Sequence, residues 1–94
     1  MVFEWDPAKA KSNQVKHGVS FDDACTVFLD SDALDGEDPA HSTQEPRFLR
    51  LGASLNGSIL IVAYTMRSKD NDETKIRIIS ARKASRKERK AYKG

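Results

Sequence analysis

The chain has 94 residues, of which 38% are hydrophobic and 32% are charged, and its formal net charge is +2. This length fits one domain over residues 1–94, and the composition is that of a globular protein rather than a disordered chain. The single cysteine, Cys25, excludes an intramolecular disulfide and a thiolate zinc cluster. The sequence has neither the pattern of a signal peptide nor an apolar run long enough to span a bilayer, which indicates a cytoplasmic protein.

Charge is distributed unevenly along the chain. Eight acidic residues and no Lys or Arg lie between Phe21 and Glu45, whereas nine Lys or Arg and one Glu lie between Lys75 and Gly94. A basic end of this kind favours phosphate-bearing or acidic partners.

The first third of the chain predicts one strand and two helices. The opening "VFEW" predicts a short strand, and Asp6 followed by Pro7 is typical of a helix start, because Asp caps the helix and the first helical position needs no N–H. Gly18 ends this helix and Ser20 begins the next. The second helix carries apolar residues at i, i+3, i+4, i+7 and i+8, namely Phe21, Ala24, Cys25, Phe28 and Leu29.

The acidic stretch "DSDALDGEDPAHSTQEP" predicts at most a short strand and then a loop. It does not match a calcium loop, because Leu34 occupies the fifth position and Gly36 the seventh. His17, His41 and the carboxylates also lack a compact metal-ligand spacing, so no metal site is predicted. No nucleotide-binding or serine-hydrolase motif is found in the sequence, and no cofactor is expected.

The remainder predicts three strands and a helix. The strands are "RFLRLGAS", "SILIVAYTM" and "KIRIISAR"; Asn56-Gly57 predicts a hairpin between the first two, and "RSKDNDET" predicts a polar loop before the third. The apolar run from Ile59 to Ala63 indicates a central strand covered on both faces. Ser85 and Glu88 have the spacing of a capping box, which begins a helix that ends near Tyr92. The predicted fold is a small α+β domain of order β-α-α-β-β-β-α with an antiparallel sheet.

Two segments are candidates for function, and Cys25 is not, because it lies on the apolar helical stripe. Lys16 and His17 lie at a helix C-terminus, where the dipole favours positive charge; the alternative is a simple capping interaction. In the closing segment, Arg77 points away from the face that its apolar neighbours bury, and Arg86, Arg89 and Lys93 share one side of the last helix. Because these charges repel one another, we expect a polyanion or an acidic partner to contact them rather than solvent alone.

Several blocks of the sequence together resemble a known family. The segments "FEWDPAKAKSNQVKHGVSFDDACTVF", "HSTQEPRFLRLG", "ILIVAYTMR" and "KIRIISARKASRKERKAY" are similar, in order and spacing, to the BrnT-type toxins of bacterial type II toxin–antitoxin systems. One departure is Pro46, which separates Glu45 from Arg47 where the family has an adjacent pair. The resemblance implies a RelE-like ribonuclease fold, RNA cleavage that arrests translation, and neutralisation by a cognate antitoxin with a DNA-binding end of the ribbon-helix-helix type.

The resemblance and the chemistry of metal-independent RNA cleavage together imply roles for particular residues. Such cleavage needs proton transfer and cations that stabilise the charge on phosphorus. His17 is the expected proton-transfer group, assisted by Lys16, with Glu45 as a weaker candidate base. The phosphate-stabilising candidates are Arg67, Arg77 and Arg82. The RNA-binding candidates are Arg47, Lys83, Arg86, Arg89 and Tyr92, the last by stacking on a base.

Two other functions fit the same residues. The chain could be a non-catalytic module that binds nucleic acid through its basic helix, or a module whose basic helix docks an acidic protein partner. Intact RNA of shifted mobility would favour the first, and failure to bind RNA at low salt would favour the second.

Overall fold

A five-stranded mixed sheet organises the chain, which a computed structural model describes over residues 1–42, 45–68 and 73–93. The sheet order is β1-β5-β4-β3-β2. The strands are β1 (Val2–Glu4), β2 (Leu34–Glu37), β3 (Phe48–Ala53), β4 (Ile59–Ser68) and β5 (Thr74–Lys83). The helices are α1 (Pro7–His17), α2 (Phe21–Thr26) and α3 (Arg86–Lys93), with short 3-10 turns at Val27–Leu29 and Pro39–His41. The middle of the predicted polar loop, residues 69–72, lies outside the described residues.

The predicted start and end of α1 and the predicted start of α2 are confirmed. The Asp6 carboxylate accepts a hydrogen bond from the N–H of Ala8 at 2.8 Å, and Gly18 takes a left-handed conformation with φ 69° at the C-terminus of α1. The hydroxyl of Ser20 accepts from the N–H of Asp23 at 3.0 Å at the start of α2. These ends are predictable because each depends on a few neighbouring residues.

The apolar stripe predicted for the second helix holds over its first part. Phe21 and Ala24 are buried, and Cys25 packs against the core as expected. Leu29 is 73% exposed, so its predicted place in the core is wrong. The α-helix ends at Thr26 and continues as a tighter 3-10 turn, in which Phe28 still packs against the core while Leu29 points away from it.

The prediction of an antiparallel sheet is correct for four strands and wrong for β1. Strands β2 to β5 pair antiparallel in sequence order, whereas β1 pairs parallel with β5, with Phe3 opposite Ile76. The acidic stretch does form a strand, β2, all of whose residues are exposed. The apolar pattern of "VFEW" carries no information on the direction of its partner strand, so this pairing is fixed by packing of the whole chain.

The two faces of the sheet differ in their cover. On one, which we call the helix face, Leu60, Val62 and Tyr64 of β4 are buried against α2. On the other, which we call the cleft face, Ile61 packs with Leu51 and with Tyr92 of α3. The predicted central position of this strand is therefore confirmed.

A β-bulge in β5 changes which residues reach the cleft face. Ala63 pairs with Ser80, but the next residue, Tyr64, pairs with Ile78, so Ile79 is an extra residue on β5. Strict alternation would put residues 77 and 82 on opposite faces of the strand, because they are an odd number of positions apart. The extra residue reverses this parity, so that Arg77, Ser80 and Arg82 all lie on the cleft face.

No helix in the described part of the chain has the length and apolar character needed to cross a membrane.

Candidate active site

A cleft of about 470 Å³ opens on the cleft face of the sheet. This volume lies in the range of roughly 300–1,000 Å³ that is usual for ligand pockets. Leu49, Ile61 and Ala63 form its apolar base. Its ionisable lining residues come from separate parts of the chain: His17, Asp38, His41, Arg47 and Arg82. The structure thus brings together three predicted site residues, namely His17, Arg47 and Arg82.

The side chain of Asn13 fixes the position of His17. Asn13 is buried, and its amide nitrogen donates to the carbonyl oxygens of Ala81 (2.8 Å) and Val19 (3.0 Å), while its amide oxygen accepts from the N–H of Ala81 (3.1 Å). Asn13 therefore pairs with the open edge of β5 as a neighbouring strand would. Because His17 follows one helical turn later on the same side of α1, this attachment brings its half-buried ring to the cleft.

Backbone and hydroxyl contacts position the opposite wall of the cleft. The N–H of Asp38 donates to the carbonyl of Arg47 at 2.8 Å, which extends the β2–β3 pairing by one step. The hydroxyl of Ser42 donates to the carbonyl of Asp38 (2.7 Å) and accepts from the N–H of Arg47 (2.9 Å). These bonds hold Arg47 and the 3-10 turn with His41 on the same side of the cleft.

Arg82 reaches the cleft with its guanidinium already oriented. Its Nη1 and Nη2 atoms donate to the two carboxylate oxygens of Glu88 at 2.8 and 2.9 Å. Glu88 also accepts from the N–H of Ser85 at 2.8 Å, which confirms the predicted capping box. The hydrogen bonds from Arg82 and Ser85 lower the pKa of Glu88 to about 2, and the same carboxylate raises the pKa of Arg82. Arg82 is therefore a fixed cation with donors left for a ligand.

The other two predicted phosphate-binding arginines lie further along the cleft face, outside the cleft. Arg77 donates to the carboxylate of Glu4 at 2.7 Å, and Arg67 donates to Glu45 at 3.1 Å and lies 3.8 Å from Glu4. Glu45, the weaker candidate base, thus pairs with Arg67 and does not line the cleft. The three predicted phosphate-stabilising arginines therefore do not share one site: Arg82 lines the cleft, whereas Arg67 and Arg77 belong to this ion-pair network.

The remaining predicted site residues surround the cleft or lie away from it. Lys16 lines a smaller depression of about 180 Å³ that shares His17 and Ser80 with the main cleft. Lys83 pairs with Leu60 and therefore projects from the helix face, opposite Arg82.

The predicted RNA-binding residues of α3 have separate environments. Arg86 is exposed, and Arg89 donates to the carbonyl of Ala84 at 3.1 Å. Tyr92 is half-buried against the sheet, and its hydroxyl donates to Asp30 at 2.6 Å, which raises the pKa of Tyr92. Its ring attaches α3 to the rest of the protein, and the predicted stacking on a base finds no support in this placement.

Two cleft residues were not predicted as site residues. Asp38 and His41 line the wall opposite His17, and His41 Nδ1 lies 2.9 Å from the Asp38 carboxylate. The sequence signal for this pair is a His three residues after an Asp inside a strongly acidic segment, a spacing that by itself does not match a metal-ligand motif.

Neither a metal-ligand cluster nor a reactive thiol is found in the described residues. No group of three His, Cys, Asp or Glu side chains in residues 1–42, 45–68 and 73–93 could hold a metal ion. Burial, and the nearby Asp22 carboxylate, raise the pKa of Cys25 to about 11, which keeps it as a thiol.

Comparisons with known proteins identify the family and agree with the fold. No significant match was found among curated proteins. The chain is similar to the Brucella abortus ribonuclease toxin BrnT, solved by crystallography at 1.1 Å, with 26% sequence identity and a TM-score of 0.62 over 92% of this chain and 100% of that one. Residues 5–88 match the family model described as the ribonuclease toxin, BrnT, of type II toxin–antitoxin systems. The chain therefore belongs to the BrnT family of ribonuclease toxins.

Proposed function

We propose that the chain cleaves RNA in the cleft between α1 and the 38–47 segment, by attack of a 2′-hydroxyl on the adjacent phosphate and without a metal ion. The observation that carries this proposal is that His17, Arg47 and Arg82 line one cleft. Imidazole can transfer the protons and guanidinium can stabilise the charge on phosphorus, as this reaction requires when no metal ion assists it.

The two arginines supply the electrostatic part of catalysis. The attacking and leaving oxygens add negative charge around phosphorus in the transition state, and guanidinium groups stabilise such charge through paired N–H donors. The Glu88 carboxylate holds Arg82 in one orientation, so little reorganisation is needed when the phosphate arrives. The apolar base of Leu49, Ile61 and Ala63 lowers the local dielectric and strengthens these contacts.

His17 supplies proton transfer, and Lys16 beside it adds positive charge at the entrance. Exposed cations beyond the cleft extend the attraction along the RNA backbone. Those that belong to the basic C-terminal segment are Lys83, Arg86, Lys87, Arg89, Lys90 and Lys93. On the same sheet face, Arg67 and Arg77 could bind further phosphates by exchanging a carboxylate partner for one.

In the cell, cleavage by a toxin of this family would arrest translation in the cytoplasm until a cognate antitoxin covers the site. Membership of a type II toxin–antitoxin family supports an antitoxin protein as partner. We further propose that this antitoxin has a ribbon-helix-helix DNA-binding end, and that the toxin fold is RelE-like. An acidic antitoxin segment on α3 would relieve the repulsion among its cations while it excludes RNA.

The test is product analysis with purified protein and RNA, both free and bound to translating ribosomes. Cleavage that persists in EDTA and leaves 2′,3′-cyclic phosphate ends would support the proposal. His17→Ala should lower the rate by about 10²–10⁴-fold, the usual contribution of a general acid or base. Lys11→Ala is the matched control, since Lys11 is an exposed cation on the same helix, outside the cleft lining, and should leave the rate unchanged.

Two outcomes would contradict the proposal. Intact RNA of reduced mobility would instead support a non-catalytic binding module that uses the exposed cations of α3. Loss of cleavage in EDTA, with recovery on adding a divalent cation, would show that a metal ion takes part.

A further inference from the structure

The cleft contains two imidazoles that come from opposite walls. His17 projects from the C-terminal turn of α1, and His41 from the 3-10 turn that precedes β3. Cleavage through a 2′-hydroxyl involves two proton transfers, one from the nucleophile and one to the leaving 5′-oxygen. In the proposed function only His17 transfers a proton, so His41 has no role yet.

Asp38 sets the tautomer of His41. The Asp38 carboxylate oxygen lies 2.9 Å from His41 Nδ1, and a carboxylate can only accept a hydrogen bond, so Nδ1 carries the proton. In the neutral ring the lone pair is then on Nε2. The Asp38 side chain is 17% exposed and the His41 side chain 65% exposed, so the carboxylate is held within the fold while the imidazole remains open to substrate.

The contacts of Asp38 connect His41 to the cleft arginine. The backbone of Asp38 bonds to the carbonyl of Arg47, and the Ser42 hydroxyl joins the backbones of the same two residues. Because these hydrogen bonds hold Arg47 and His41 in one short segment, a phosphate bound by Arg47 would lie near His41.

Resting on the proposed function, we infer that His41, oriented by Asp38, is the general base of RNA cleavage and that His17 is the general acid. The other ionisable groups that line the cleft with His41 are Asp38 and Arg47 on its own side and His17 and Arg82. His41 suits the base role because its Nε2 lone pair is free, and His17, on the opposite wall of the cleft, is left to protonate the leaving oxygen.

The reaction balances with these two groups alone. His41 Nε2 takes the proton of the 2′-hydroxyl while the 2′-oxygen bonds to phosphorus. The bond between phosphorus and the 5′-oxygen breaks, and His17 donates its proton to that oxygen. The products are a 2′,3′-cyclic phosphate and a 5′-hydroxyl, and exchange of one proton with water returns His41 to the neutral and His17 to the charged form.

A substrate with a modified leaving group separates the two roles. In RNA whose bridging 5′-oxygen is replaced by sulfur, the leaving group departs as a thiolate and needs no proton. On ordinary RNA, His41→Ala and His17→Ala should each be slower than the wild type by about 10²–10⁴-fold. On the sulfur substrate, His17→Ala should approach the wild-type rate, whereas His41→Ala should remain slow. Asp38→Asn should behave as a weaker form of His41→Ala.

Other results would overturn the inference. If His41→Ala cleaves ordinary RNA at the wild-type rate, the Asp38–His41 contact only stabilises the loop. If His41→Ala, and not His17→Ala, recovers on the sulfur substrate, the two roles are reversed. A wild-type protein that cleaves neither substrate would instead contradict the proposed function. Circular dichroism and thermal unfolding of each variant, with His41→Gln as a second substitution, distinguish a lost proton-transfer group from a lost fold.

Discussion

At the scale of single residues, Asn13 closes an edge that the sheet leaves open. In the described part of the chain, β1 pairs with β5 only at positions 75–77. The backbone groups of Ala81 that point away from β4 therefore have no neighbouring strand. The Asn13 amide makes hydrogen bonds to both the N–H and the carbonyl of Ala81 and to the carbonyl of Val19. One buried side chain thus joins α1, the turn after it and β5, and it determines where His17 lies.

Asn13→Ala should therefore lower both stability and activity. Three buried backbone groups lose their partner, so the free energy of unfolding should fall by about 1–3 kcal/mol. Because the end of α1 is no longer held to β5, kcat for RNA cleavage should fall more than KM rises. Urea unfolding and steady-state kinetics measure the two effects. Ser12→Ala, at an exposed neighbouring position, should change stability by less than about 0.5 kcal/mol. A variant with wild-type stability and kcat would refute this role.

At the scale of elements, the sequence correctly predicts the helix ends and the turn that a few neighbouring residues determine. Asp6 and Gly18 bound α1, and Ser85 with Glu88 begins α3, as predicted. The hairpin between β3 and β4 is also correct, with Gly57 at φ 87°. Each of these features depends on side-chain and backbone groups within a few residues of one another.

Features that depend on distant parts of the chain could not be predicted. Strict alternation along "KIRIISAR" would separate Arg77 from Arg82, and the bulge at Ile79 that unites them has no sequence signal. The pairing of Arg67 with Glu45 joins residues 22 positions apart. His41 enters the cleft because backbone hydrogen bonds fold its segment back onto β3, an arrangement that composition and spacing do not encode.

Helix α3 is held to the protein by two carboxylates, which makes its attachment dependent on pH. Hydrogen bonds from Arg82 and Ser85 lower the pKa of Glu88 to about 2, and bonds from the Ala53 N–H and from Tyr92 lower the pKa of Asp30. A carboxylate whose pKa is lowered on folding stabilises the folded state above its unfolded pKa. That stabilisation is lost as pH falls through the folded pKa.

We therefore expect α3 to detach between about pH 4.5 and about pH 2, the unfolded and folded pKa values of Glu88. The ¹³Cα chemical shifts of residues 86–93 should move toward coil values over this interval, before those of β4. In Glu88→Gln the helix should already be less ordered at neutral pH, and its dependence on pH over the same interval should be smaller. Helical shifts unchanged at pH 2, or a Gln variant with the wild-type profile, would show that these carboxylates do not hold α3.

At the scale of the whole molecule, the acidic and basic segments are adjacent in space, although they are far apart in the sequence. Tyr92 of the basic helix donates to Asp30 of the acidic stretch, and Arg50 donates to the carboxylate of Asp35 and to the carbonyl of Asp30. In these contacts, Asp30 and Asp35 stabilise the fold. Arg47 and Arg82 line the cleft, so both are available to an RNA on the cleft face of the sheet.

NMR can show directly whether the cleft between α1 and the 38–47 segment binds the RNA backbone. ¹⁵N-labelled protein would be titrated with a mixed-sequence 2′-O-methyl RNA, which can bind but has no nucleophile. We expect the largest amide shift changes at His17, His41, Arg47 and Arg82, and we expect these changes to become smaller as salt is raised. Changes confined to the helix face around Lys83, or to the exposed strand β2, with the cleft residues unaffected, would contradict this expectation.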